Sequence, residues 1–134
     1  MKHYKPAAFL FDLDGTLVDT APDMAGALNR LRAEHDLPEL PFEHIRPWVS
    51  HGAGALVRLG FGNTLDPARH EALRRRYIDI YAANLCVDSV LFPGMAEVLD
   101  ALRQHGRSFG IVTNKPAFLT EPLLASLGLH TPCI

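Results

Sequence analysis

The sequence has only two cysteines, Cys86 and Cys133, and no CxxC spacing, which excludes a zinc ribbon and argues against a disulfide framework. In a chain without an export signal they read as small hydrophobes in a reducing compartment. Seven histidines form neither an HxH pair nor HExxH, which removes the usual histidine-built metal sites. No apolar run approaches the roughly 18 residues of a membrane span, and the polar start MKHYKP leads into only a short apolar stretch. Charge is nearly balanced, with 13 Lys and Arg against 15 Asp and Glu, so there is no basic footprint for nucleic acid. The single cationic run, Arg74-Arg75-Arg76, reads as a solvated helix face. Repeats and low-complexity tracts are also absent. These exclusions leave a globular, cytoplasmic domain with no nucleic-acid or membrane partner and no oligomeric state implied.

With 48% hydrophobic residues, 134 positions suffice for an ordinary core, and the apolar pattern divides them. Residues 7–11 form an unbroken apolar run that predicts a strand buried on both faces of a parallel sheet. Thr20 followed by Asp23 resembles a capping box, and Met24, Ala27, Leu28 and Leu31 recur at helical spacing behind it. Prolines 38, 41 and 47 mark a linker with a short helical turn, after which residues 53–59 predict a helix. Asp66-Pro67 then supplies a cap and a first-turn proline for a longer helix with Leu73, Tyr77, Ile80 and Tyr81 as its apolar stripe. Beyond CVDSVLFPG, the spacing of Met95, Val98, Leu99 and Leu102 predicts a helix that stops at Gly106. Residues 109–113 read as a second strand, and a last helix carries Leu123, Leu124 and Leu127, with Pro122 expected near its start. The order is that of an α/β domain whose first crossover contains a helical insertion.

The stretch FLFDLDGTLVDT, residues 9–20, sends two aspartates out of the first strand. Residues i and i+2 of an extended segment share a side, so Asp12 and Asp14 should both project beyond the strand's carboxyl end, where open α/β sheets bind ligands. Two such carboxylates repel unless a cation or a shared proton intervenes. One can then serve as metal ligand and nucleophile, the other as general acid and base. Gly15 permits the sharp turn, and Thr16 can support it by hydrogen bonding. A calcium loop fits poorly, because Thr16 stands where a third Asp or Asn is needed. A solvated Asp-Gly turn and a glycosyltransferase-like DxD metal site are the other readings.

FLFDLDGTLVDT resembles the first signature of the haloacid dehalogenase superfamily, and GIVTNKP resembles its second. The resemblance implies a Rossmann-like core at residues 1–18 and 88–134, its parallel sheet incomplete, with an α-helical cap at 19–87 and hinges at 17–20 and 87–93. It implies that Asp12 forms an aspartyl-phosphate, that Asp14 protonates the leaving alcohol and later activates water, and that Mg2+ is held by the Asp12 carboxylate and the Asp14 carbonyl. The Thr113 hydroxyl and the Asn114 N–H would bind phosphate beside the Gly15 turn. WVSHGAGALVRL is similar to the substrate-facing cap segment of phosphoglycolate-phosphatase-like enzymes and would place His51, Gly52 and Ala53 over the site. For His51 an exposed turn position is the equal alternative. LFPGMAEVLDALRQHG fits the same subgroup, and VTNKPAFLTEPLLASLGL is similar also to N-acetylmuramic acid 6-phosphate phosphatases.

The family's third signature, a lysine about thirty residues after the second, and its fourth, an acidic pair, would lie beyond Ile134, and Lys115 in TNKP is not that lysine. The expectation is therefore the N-terminal portion of a magnesium-dependent phosphatase acting on a small phosphorylated substrate. A sugar phosphomutase and a noncatalytic fragment are the alternatives. A dehalogenase is disfavoured, because its nucleophile works without the second aspartate.

Overall fold

The computed structural model describes residues 5–131. Cys133 lies outside them, and Cys86 is a half-buried thiol whose Sγ lies 3.7 Å from the Ser89 carbonyl. Burial pushes that thiol's pKa up. The elements run β1 (Ala8–Phe11), β2 (Val18–Asp19), α1 (Ala21–Glu34), α2 (Phe42–Ile45), a 3-10 turn (Arg46–His51), α3 (Ala53–Phe61), α4 (Pro67–Ala83), β3 (Val90–Leu91), α5 (Met95–Gln104), β4 (Ser108–Ile111) and α6 (Ala117–Ser126). None of the described helices is long and apolar enough to cross a membrane.

β1 and β4 pair in parallel with Ala8 opposite Ser108 and Phe11 opposite Ile111, and the Val112 N–H extends the ladder to the Phe11 carbonyl at 2.9 Å. A parallel pair needs a crossover, and the whole helical block with α5 supplies it. Both strands therefore point the same way, and the chain leaves their carboxyl ends side by side. That juxtaposition brings together two motifs about a hundred residues apart.

The expectation that β1 is buried on both faces is corrected. Its residues alternate exposed and half-buried, with Leu10 62% exposed. Only β4 pairs with it, so one edge and part of one face have no protein cover among the described residues. β2 and β3, which the apolar pattern did not reveal, pair antiparallel with Val18 opposite Leu91 and Asp19 opposite Val90. The two segments that enter and leave the helical block are thus one hydrogen-bonded ribbon.

Two apolar clusters form. Leu28, Leu31, Ile45, Leu56, Leu73 and Tyr77 make the core of the helical block, while Leu13, Leu17, Leu99, Ile111 and Leu123 fill the space under the sheet. Leu119 of α6 belongs to the first cluster, so the last helix packs on the block as well as on the sheet. In α3 the backbone approaches α1 so closely at Gly60 that an added Cβ would lie 2.7 Å from Leu28 Cδ1. Arg32 Nη1 hydrogen-bonds the Gly60 carbonyl at the same crossing.

Two local expectations also need correction. Thr20 is the N-cap residue of α1 but makes no capping bond, and Asp23 does not turn back onto it. Each side chain has a tertiary partner instead: Thr20 Oγ1 donates to Asp14 at 2.7 Å, and Asp23 receives the chain returning from α4. Pro122 lies inside α6, five residues after its start, rather than near the first turn. The hydrogen bond it removes would have ended on the carbonyl of Phe118, a residue 59% exposed, so water can take the place of the missing N–H. The Asp66 cap is as expected, its carboxylate accepting from the Arg69 N–H at 2.8 Å.

Candidate active site

Asp12 follows β1 directly, and Gly15, at φ 80°, turns the chain so sharply that the N–H groups of Thr16, Leu17 and Val18 all reach the Leu13 carbonyl. Leu13 and Leu17 are fully buried beneath this turn, which fixes the aspartates between them and the solvent. The Asp12 carboxylate is anchored on one side only: Oδ1 accepts from the Leu13 N–H at 2.9 Å, while Oδ2 has a 3.5 Å contact with Thr16 Oγ1, at the outer limit of a hydrogen bond. Oδ2 is thus available to a ligand.

Asp14 is held more firmly. Its Oδ1 accepts from Thr20 Oγ1 at 2.7 Å and from Lys115 Nζ at 2.9 Å, and Oδ2 has no partner among the described residues. Lys115 Nζ also donates to the Tyr81 hydroxyl at 2.6 Å and lies 4.6 Å from the centre of that ring. The lysine side chain is only 5% exposed and Asp14 14%. Burial lowers the Lys115 pKa, and the neighbouring Asp14 charge partly restores it. Tyr77 and Tyr81, stacked at 6.2 Å, have hydroxyl pKa values pushed well up, chiefly by burial and then by Asp14.

This cluster floors a cavity of about 450 Å³ between the sheet's carboxyl end and the helical block. Thr113, Asn114 and Lys115 border it from the second strand's exit, and the Lys115 N–H fixes the Thr113 oxygen at 3.1 Å, leaving its O–H free to donate. Gly52 and Ala53 border it from the other side. His51 does not: it is exposed and its ring packs against Trp48 at 5.5 Å, the turn position that was its alternative. Gly15 lies on a second cleft, on the far side of the aspartates, with Thr16 and Arg46.

Sequence reasoning missed four contributors. Lys115 was set aside because its spacing excluded one role, yet parallel pairing carries it to Asp14. Tyr81 was assigned to the core stripe alone, and Thr20 to a helix cap. Arg74, part of a run assigned to solvent, borders the cavity. The i, i+3, i+4, i+7 spacing of Arg74, Tyr77, Ile78 and Tyr81 was the available signal, since all four line the cavity from one face of α4.

The Asp12 carboxylate and the Asp14 main-chain carbonyl are hard oxygens of the kind magnesium takes, usually together with several waters and phosphate oxygens. The donor chemistry fits, but no cluster of three His, Cys, Asp or Glu side chains gathers among the described residues. The Lys115–Asp14 pair can be tested on stability. A double-mutant cycle of Lys115→Met and Asp14→Asn, read by urea denaturation, is expected to give a coupling of about 1–3 kcal/mol. Additive single effects would mean that the 2.9 Å contact contributes nothing net.

Comparison with known proteins matches residues 9–132 to the family described as haloacid dehalogenase-like hydrolase. A phosphoglycolate phosphatase of Caulobacter vibrioides is 46% identical over 126 residues, covering 92% of this chain and 53% of the relative. An N-acetylmuramic acid 6-phosphate phosphatase of Pseudomonas aeruginosa is 41% identical over 128 residues, covering 96% of this chain and 57% of the relative. Among solved structures, a predicted phosphoglycolate phosphatase from Haemophilus somnus superposes with a TM-score of 0.81 at 29% identity, over 96% of this chain and 61% of that one. The chain spans about half the length of the curated relatives it matches.

Proposed function

Because this chain belongs to the haloacid dehalogenase-like hydrolases, we propose that it carries the nucleophile, the proton-transfer group and part of the phosphate cradle of a magnesium-dependent phosphomonoesterase. The observation that supports this most is the convergence of Asp12, Asp14, Thr113, Asn114 and Lys115 on one cavity. Attack on phosphorus falls to the Asp12 carboxylate, whose Oδ2 is nearly unengaged. As the bond from Asp12 to phosphorus forms, the ester P–O bond breaks, and the departing alkoxide takes a proton from Asp14. Asp14 Oδ2 suits that task, since Thr20 and Lys115 both bind Oδ1. A water then attacks the aspartyl-phosphate and gives its proton to Asp14. Inorganic phosphate leaves and Asp12 is restored. The Thr113 hydroxyl, the Asn114 N–H and the Lys115 ammonium would hold the phosphoryl oxygens. Magnesium, held by the Asp12 carboxylate and the Asp14 carbonyl, would offset the repulsion between that carboxylate and a phosphate dianion.

The relatives' names bracket the substrate as a phosphorylated acid, either a two-carbon acid or a sugar acid. Phosphate release from 2-phosphoglycolate, N-acetylmuramic acid 6-phosphate and hexose phosphates, assayed with magnesium and with a chelator, tests the reaction. Release only with magnesium is expected. Release unaffected by the chelator would overturn metal dependence, and transfer to a second sugar hydroxyl rather than to water would favour a mutase. A second reading, that these 134 residues bind phosphate without turning it over, is favoured by the lack of a third acidic side chain beside Asp12 and Asp14 among the described residues. Saturable binding of the phosphates with no release would establish it.

A further inference from the structure

We propose that the cavity takes a phosphorylated sugar acid, and that Arg74 receives the carboxylate of that substrate. The inference rests on the phosphatase reading and goes beyond it in naming the substrate class and the residue that selects it.

The cavity's charge is divided between its two walls. Among the described residues its carboxylates, Asp12 and Asp14, come from the strand exit, beside Lys115. On the wall formed by the helical block, the charged side chain that lines the cavity is Arg74. Its guanidinium is not neutralised one for one. Glu71 accepts from Arg74 Nε at 2.8 Å and Nη2 at 2.9 Å, but the same carboxylate also accepts from Arg75 Nε at 3.1 Å. One anion shared by two guanidinium groups leaves a net positive charge. These bonds hold the Arg74 fork in place while its Nη1 has no partner among the described residues. Arg74 is not needed to bind a phosphate for which Lys115, Thr113 and Asn114 are at hand. A second anionic group on the ligand accounts for it.

The spacing of these groups along α4 favours a longer ligand. Tyr81 touches Lys115 and so marks the phosphate end of α4, whereas Arg74 is seven residues earlier on the same face. Seven residues of helix rise about 10 Å. In a two-carbon phosphorylated acid, phosphorus and the carboxylate carbon are only about 4 Å apart by ordinary bond lengths. A sugar ring between phosphate and carboxylate spans the gap. The wall between the two ends, Tyr77, Ile78 and Tyr81, offers an aromatic and apolar face for such a ring. A cavity of about 450 Å³ is likewise sized for a sugar rather than for two carbons.

Calorimetric titration in the presence of magnesium, with Asp12→Asn in every protein compared so that no phosphate is turned over, tests this. N-acetylmuramic acid 6-phosphate and N-acetylglucosamine 6-phosphate share ring and phosphate and differ in the lactyl ether at O3, which carries the carboxylate and which Arg74→Leu then tests separately from its carbon atoms. The acid is expected to bind at least about tenfold more tightly, the range of one charge-assisted hydrogen bond. Both sugars should bind more tightly than 2-phosphoglycolate. Arg74→Leu should erase the preference for the acid, and Arg74→Lys should retain part of it. Equal binding of the two sugars with Arg74 in place, an undiminished preference in Arg74→Leu, or tightest binding of 2-phosphoglycolate would each overturn the proposal while leaving the phosphate site standing. Failure of every phosphate to bind would remove the phosphatase reading and this assignment together.

Discussion

Asp12→Asn is expected to reduce phosphate release by at least about 10⁴-fold, the scale on which removal of a covalent nucleophile acts elsewhere. An amide keeps the shape and can still accept from the Leu13 N–H, so the turn between β1 and β2 should survive. What it loses is the anionic oxygen that forms the bond to phosphorus. Because Asp12 is exposed and makes a single firm hydrogen bond, the variant's stability should stay within about 0.5 kcal/mol of the wild type. Phosphate binding should hold or tighten, since one of the charges repelling a dianion is gone. Steady-state phosphate release and equilibrium denaturation on the same preparation separate these effects. Turnover within tenfold of the wild type would reject Asp12 as the nucleophile.

The second large effect is expected at Asp23, where the helical block joins the sheet domain. This carboxylate is 4% exposed. It accepts from the Val87 N–H at 3.1 Å, the Asp88 N–H at 3.0 Å, the Ser89 N–H at 2.8 Å and Ser89 Oγ at 2.7 Å. One side chain at the start of α1 thus satisfies three consecutive backbone donors of the returning segment. Truncation to Ala strands them, and each stranded buried donor costs about 1–3 kcal/mol. Water will reach some of them, because Val87 and Asp88 are exposed residues, so a net loss of about 3–5 kcal/mol is expected for Asp23→Ala. Asp23→Asn keeps one acceptor oxygen and should lose less. Urea denaturation measures both, and a loss below about 1 kcal/mol in the Ala variant would show that the segment is held by the β2–β3 pairing alone. Asp23 and the β2–β3 ribbon thus tie together the two segments that enter and leave the helical block.

Local chemistry made much of this legible beforehand. The helices of the block follow from apolar spacing, and the end of α5 follows from Gly106, whose φ of 62° suits a residue without a side chain. The paired aspartates follow from a strand that ends in a glycine turn. The errors share a cause. Thr20 and Asp23 carry a sequence pattern that would cap a helix, and a stronger set of partners, distant in sequence, took each side chain instead. Pro122 was expected at a helix start because a local rule places it there, whereas exposure of the Phe118 turn makes an interior position tolerable. Burial of β1 was inferred from its apolar run, but burial depends on which strands lie beside it, and among the described residues only β4 does.

The sequence by itself therefore determined the fold class, the family signatures and the two carboxylates at a strand end, because these depend on spacing within about a dozen residues. Tertiary structure alone decided which groups meet those carboxylates. Parallel pairing of strands a hundred residues apart delivers Lys115 to Asp14, and the packing of α4 over the sheet's end turns Tyr81 and Arg74 from a core stripe and a surface charge into the walls of a binding cavity. Such contacts join side chains whose separation along the chain carries no signal of their meeting.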